Sequence, residues 1–137
     1  MKARFGRRYM FSASHRLHSD GLSADENRAT YGKCNNPHGH GHNYGLEVLI
    51  SGEVDAETGM VVNMVAVDEA VQTKILERFD HAHLNRDPIF VNQVPTTENL
   101  CKAIFDLLDA SFGSARLRLV RVEETENNFF ECFSTER

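Results

Sequence analysis

Apolar and polar positions alternate from the start of the chain: between residues 4 and 14, Phe5, Tyr9, Phe11 and Ala13 share one parity, the period of a half-buried strand. Leu46, Val48 and Ile50 repeat that period within residues 44–51 and predict a second strand. The polar run 53–59 ends in Gly59 and reads as a turn, followed by a short extended piece at 60–62. The period then lengthens. Met64, Val67, Val71 and Ile75 recur at helical spacing behind Asn63, a suitable N-cap, and carry a helix to the neighbourhood of Phe79. A loop punctuated by Pro88 and Pro95 leads to a second helix. Thr96 or Thr97 caps it, Leu100, Ile104, Leu107 and Leu108 face inward, and Gly113 stops it. Leu117 and Leu119, then Val120 and Val122, fall on opposite parities, as a β-bulge produces. Asn127 and Asn128 turn the chain into residues 129–133, completing a hairpin. The order β-β-α-α-β-β predicts an α+β fold: an antiparallel sheet with two helices on one face. Its bare face and free edges favour an oligomer.

Length bounds this picture, because 137 residues build one core and predict a single domain over residues 1–137. Fifteen Lys and Arg against twenty Asp and Glu leave a formal charge of -5. Such a balance disfavours nucleic acid and anionic membranes as partners, so any anionic ligand needs a local basic cluster. No apolar run approaches the roughly 20 residues of a spanning helix, and residues 1–8 lack an apolar signal core. A cytoplasmic chain is expected. Cys34, Cys101 and Cys132 form no even-numbered disulfide framework and read as free thiols.

Five of the seven histidines cluster at His15, His18, His38, His40 and His42. In an extended chain, residues i and i+2 share a face about 7 Å apart, so His40 and His42 can converge on one ion. His15, ending the first strand, can supply a third imidazole, and three His with an open position describe a catalytic zinc site. His38 shares the parity of His40, so the pair His38/His40 satisfies the same rule. The plainer reading is a set of hydrogen-bonded loop histidines, which is how His18 and His83 are taken. Gly32 and His38-Gly39-His40 also partly mimic a cupin metal motif, but no glutamate and glycine follow at fitting offsets. Cys34 lies beside Lys33, surroundings that can draw a thiol pKa down from about 8.5 and make it a base or nucleophile. As a fourth ligand it would instead close a structural zinc site. Cys101 and Cys132 fit core packing. Asp80-His81 couples an acid to an imidazole, a pairing also common on surfaces. Glu124 shares the parity of Val120 and Val122, so it points inward and wants donors, while Glu123 is solvated.

Phe11-Ser12-Ala13-Ser14-His15-Arg16-Leu17, Gly32-Lys33-Cys34-Asn35-Asn36-Pro37, Gly39-His40-Gly41-His42-Asn43-Tyr44, Asp80-His81, Pro95-Thr96-Thr97-Glu98-Asn99 and Glu124-Thr125 occur in that order. Together, over nearly the whole chain, they resemble the 6-pyruvoyl-tetrahydropterin synthase family. The resemblance implies the tunnelling fold, in which subunits pool antiparallel sheets into an oligomeric β-barrel, commonly a hexamer with active sites at subunit interfaces. It implies zinc on His15, His40 and His42, and a proton-transfer triad of Cys34, Asp80 and His81, the last two from a neighbouring subunit. Glu124 would anchor the pterin, with Thr96 and Thr97 lining the pocket. In the family reaction 7,8-dihydroneopterin triphosphate loses triphosphate and its side chain is oxidised at the pterin's expense. Candidate cations for the triphosphate are Arg7, Arg8, Arg16, Arg28 and Lys33.

Two departures accompany the resemblance. Cys34-x3-His38-Gly39-His40 has the spacing of the related 6-carboxytetrahydropterin synthases, and it overlaps Cys34-x5-His40-Gly41-His42, the pyruvoyl-type spacing. Asn43-Tyr44 directly after His42 favours the second. Phe79 stands where a leucine usually precedes Asp80-His81, a packing change. A carboxy-type enzyme, which releases acetaldehyde, is the alternative product class, and a non-catalytic zinc-stabilised pterin-binding domain is the alternative of another kind.

Overall fold

The first strand outlasts its apolar residues at both ends. In the computed structural model, which describes residues 1–134, β1 is Lys2–His15, with odd-numbered side chains turned inward. The elements after it are α1 (Ala24–Tyr31), β2 (His40–Glu53), α2 (Met64–Val71), α3 (Glu77–Phe79), β3 (Ala82–His83), α4 (Thr97–Leu108), β4 (Arg116–Thr125) and β5 (Asn128–Phe133). A π-helical stretch, Gln72–Leu76, joins α2 to α3.

The strands form one sheet in the order β3-β1-β2-β4-β5. β1 and β2 pair antiparallel along their whole length, Lys2 opposite Glu53 and His15 opposite His40. The sheet is mixed rather than wholly antiparallel, which corrects the sequence expectation. β3 runs parallel to β1 at Ala13 and Ser14, because the chain leaving α3 turns at His81 (φ 61°) and the His81 amide donates to Ser12 O at 2.5 Å. The expected bulge is present: Leu49 faces Leu119 while Ile50 faces Leu117, so Arg118 is the extra residue. That insertion lets Leu117 and Val120, three residues apart, both reach the core.

Asn63 caps α2, its side chain accepting from the amides of Val65 and Ala66, and Thr96 caps α4 by accepting from Asn99. Val67, Val71, Ile75 and Phe79 pack with Leu100, Ile104 and Leu108 against Phe11, Leu46, Val48, Ile50 and Val122. Met64 is exposed and Leu107 is only half-buried, so the two apolar stripes are narrower than the spacing suggested.

Sequence periodicity gave no hint of α1, which has little apolar surface. Polar bonds hold it instead. Ser23 and Glu26 form a capping box, and the buried Asn27 amide donates to the carbonyls of Ser19, Leu22 and Ser23. The spacing Ser23-x-x-Glu26 was the available signal. Among the described residues no helix is long and apolar enough to cross a membrane.

Candidate metal centre

The site grows out of one strand register. His15 ends β1 opposite His40, which begins β2, and His42 follows on the same face. Gly39 makes this junction possible: its φ is +76°, and a Cβ there would lie 3.1 Å from His15 O and 3.2 Å from the His83 ring. A side chain would push the β2 entry away from His15. His38, one residue before the turn, is exposed, so the ligand register is His40/His42 and not His38/His40.

His15 is fully buried, and its Nδ1 meets Pro95 O at 2.9 Å. A carbonyl only accepts, so Nδ1 carries the proton and Nε2 keeps a free lone pair. That lone pair faces His40 Nε2 at 3.0 Å, and one ring nitrogen from each of His15, His40 and His42 falls within a 4.8 Å cluster. His42 Nε2 and His40 Nδ1 are buried without a hydrogen-bond partner. Burial lowers the pKa of both His15 and His40, which favours neutral, ligating rings. Three converging ring nitrogens, with His42 Nε2 unpartnered, suit a cation between them. Tetrahedral zinc with bonds of about 2.0–2.1 Å sets its nitrogen ligands roughly 3.3 Å apart, so the donor set fits the metal.

Glu124 enters from β4 with Oε2 3.8 Å from His15 Nε2 and 3.7 Å from His42 Nε2. Thr97 Oγ1 donates to Oε2 at 2.5 Å, and Asn128 Nδ2 donates to Oε1 at 2.9 Å. Burial works to raise the Glu124 pKa. The two donors and the adjacent imidazoles outweigh it and hold the carboxyl below its ordinary value. Thr96 has its hydroxyl engaged in capping α4, so only Thr97 reaches Glu124.

Cys34 sits in a 3-10 turn, Gly32–Asn35, tied to the end of β1: Leu17 N donates to Cys34 O at 2.8 Å, and Asn35 Nδ2 donates to Leu17 O at 2.7 Å. The thiol lines an open cleft of about 690 Å³ together with His40 and His42. Among the described residues it is outside the cluster of potential metal ligands. Burial, then the charge of Glu124, raise its pKa, the reverse of what the neighbouring Lys33 suggested.

Asp80 and His81 lie elsewhere. Asp80 Oδ1 accepts from Ser12 N at 2.9 Å and contacts His81 Nδ1 at 3.1 Å; the Ser12 bond is the main reason its pKa is low. His81 borders a recess with Ser12, Gly41 and Asn43, while Cys34 borders the other cleft. His42 borders both. One protomer therefore does not unite Cys34 with Asp80 and His81. Sequence reasoning missed the Pro95 carbonyl that orients His15, since a backbone acceptor 80 residues away leaves no signature in residue type.

The profile of the 6-pyruvoyl tetrahydropterin synthase family matches residues 5–135. The chain belongs to that family. It is 45% identical over 128 residues to the human protein named 6-pyruvoyl tetrahydrobiopterin synthase, covering 93% of this chain and 88% of that one. A solved 6-pyruvoyl tetrahydropterin synthase structure from Caenorhabditis elegans superposes with a TM-score of 0.92 at 38% identity, over 98% of this chain and 97% of that one. A protein of Archaeoglobus fulgidus provisionally named 6-carboxy-5,6,7,8-tetrahydropterin synthase is 40% identical over 92 residues, covering only 67% of this chain and 73% of its own length. The fold is thus an α+β T-fold, and the cluster of His15, His40 and His42 supports zinc as its cofactor.

Proposed function

We propose that this chain is a zinc-dependent 6-pyruvoyl-tetrahydropterin synthase, a lyase that removes triphosphate from 7,8-dihydroneopterin triphosphate and oxidises the side chain at the pterin's expense. The observation that carries this reading is the three-imidazole cluster bordering the same cleft as Cys34. When bound, zinc supplies Lewis acidity toward the side-chain hydroxyls of the substrate.

The protein's own groups divide the remaining work. Glu124, kept ionised by Thr97 and Asn128, accepts two parallel N–H bonds from the pterin edge. Cys34 takes a proton from the substrate side chain. Burial and Glu124 keep its thiol protonated within one protomer, so its proton passes to His81 of a neighbouring subunit, whose ring Asp80 orients. The separation of Asp80 and His81 from the Cys34 cleft supports a site shared between subunits. Residues 2–11 of β1 have no strand partner on their outer edge among the described residues, which supports sheet-to-sheet closure into a barrel, with six single-domain subunits as the assembly.

Turnover of 7,8-dihydroneopterin triphosphate by zinc-loaded protein, with the product identified by mass, tests the reading. The expected product is 6-pyruvoyl-tetrahydropterin with free triphosphate. A 6-carboxytetrahydropterin with acetaldehyde identifies the carboxy type instead. Cys34→Ala is expected to retain zinc and lose about 100-fold or more in kcat. Loss of zinc in that variant identifies a closed structural site.

A further inference from the structure

The chain is acidic overall, so an anion must be drawn by a local arrangement of charge. Five cations near the N-terminal half were candidates, and the structure separates them. Arg7 is spent on Asp68, donating from Nε at 2.7 Å and from Nη2 at 2.9 Å. Arg8 pairs with Glu47 at 3.3 Å, and both line a groove that also holds Asp68 and Glu69. Neither faces the metal centre.

Arg16, Arg28 and Lys33 converge on the cleft of Cys34, His40 and His42, and no carboxylate is among that cleft's lining residues. Each comes from a different element. Arg16 follows β1 directly, and its Nε donates to Asn35 O at 3.2 Å, which aims the guanidinium while leaving its terminal amino groups without a bond among the described residues. Lys33 stands next to Cys34 in the 3-10 turn and lines the same cleft. Arg28 lies in the last turn of α1 and, among the described residues, pairs with Asp25 on the exposed helix surface. An exposed pair of this kind is weak and readily exchanged for a polyanion. This also gives α1 a purpose that its poor apolar content does not: it carries a cation to the mouth of the cleft.

The geometry points to Arg16, Arg28 and Lys33 as the cradle that holds the triphosphate of the substrate, an inference that rests on the function read above. Held there, the leaving group lies in the cleft of Cys34 and the metal centre, and the cations neutralise the charge it carries away. A planar guanidinium grips phosphate oxygens two at a time, and Lys33 adds a mobile point charge.

Inorganic tripolyphosphate is the direct probe, measured by calorimetry on the zinc-loaded oligomer and as an inhibitor of turnover. The Arg28→Ala/Lys33→Ala double variant is expected to weaken tripolyphosphate binding and raise KM for 7,8-dihydroneopterin triphosphate by about tenfold or more, since each removes charge-assisted bonds. Affinity for unphosphorylated 7,8-dihydroneopterin and zinc content stay at wild-type values. Arg16→Ala behaves alike, with zinc content reporting any collapse of the Cys34 turn, and Arg8→Ala changes none of these quantities. Equal tripolyphosphate affinity in wild type and the double variant overturns the cradle, whatever the turnover. If wild type instead binds tripolyphosphate, loses it in the double variant and yet fails to turn over the pterin triphosphate, the cradle stands and the functional reading falls.

Discussion

His42 presents a buried Nε2 with no hydrogen-bond partner, at the rim shared by the two recesses. A bare buried nitrogen costs stability unless something ligates it. His42→Ala is therefore expected to lose zinc affinity by more than the 10–100-fold that loss of an outer-shell partner costs, read by chelator competition, with the fold intact by circular dichroism. Zinc retained at wild-type affinity would remove His42 from the ligand set. Thr97 acts one step back, as the donor that keeps Glu124 ionised. Thr97→Val is expected to reduce kcat/KM about tenfold, the worth of a hydrogen bond to a charged group, and Thr97→Ser to restore it. Unchanged kinetics in the valine variant would show that Asn128 alone suffices. At this scale residue type and spacing made His40, His42 and Glu124 legible. The exposure of His38 agrees with the preference for His40/His42, and the environment of Cys34 came from its burial and the charge of Glu124.

The elements are joined by polar clasps as well as by the core. Arg7 and Tyr9 on β1 both donate to Asp68 on α2, Tyr9 through its hydroxyl at 2.6 Å. The Arg7 bond, then the Tyr9 bond, depress the Asp68 pKa. A depressed carboxyl contributes stability that is complete above its unfolded value of about 3.9 and drains away as pH falls through the lower folded value. Asp68→Asn is expected to lower Tm at neutral pH and to flatten the fall of Tm below about pH 4. Thermal melts across that range check it, and an acid limb as steep as wild type would dissociate the clasp from the acid response. Elements with apolar periodicity, the first two strands and the helices after Asn63 and Thr96, were legible in the sequence. α1 and β3 were not, because α1 is held by capping and by Asn27, and β3 exists only by pairing with β1.

On the scale of the whole molecule, Cys34 and His81, which Asp80 contacts, border different recesses of one protomer. Active sites completed by neighbours make a distinctive demand on mixed oligomers. Two inactive variants, Cys34→Ala and His81→Ala, reassembled together in equal amounts, are expected to recover about a quarter of wild-type activity, the chance that a site draws both intact residues. No recovery in mixed oligomers verified by mass would return all three residues to a single protomer. The sequence by itself determined the kinds of groups present, the shared face of His40 and His42, the two capped helices and the bulged fourth strand, because these depend on spacings of a few residues. Only the tertiary structure decided that Pro95 turns the ring of His15 toward His40, that Arg7 and Arg8 are consumed elsewhere, and which recesses Cys34 and His81 border. Those outcomes depend on strand register and hydrogen bonds between residues 25 to 80 positions apart, and such distances leave no period in the chain.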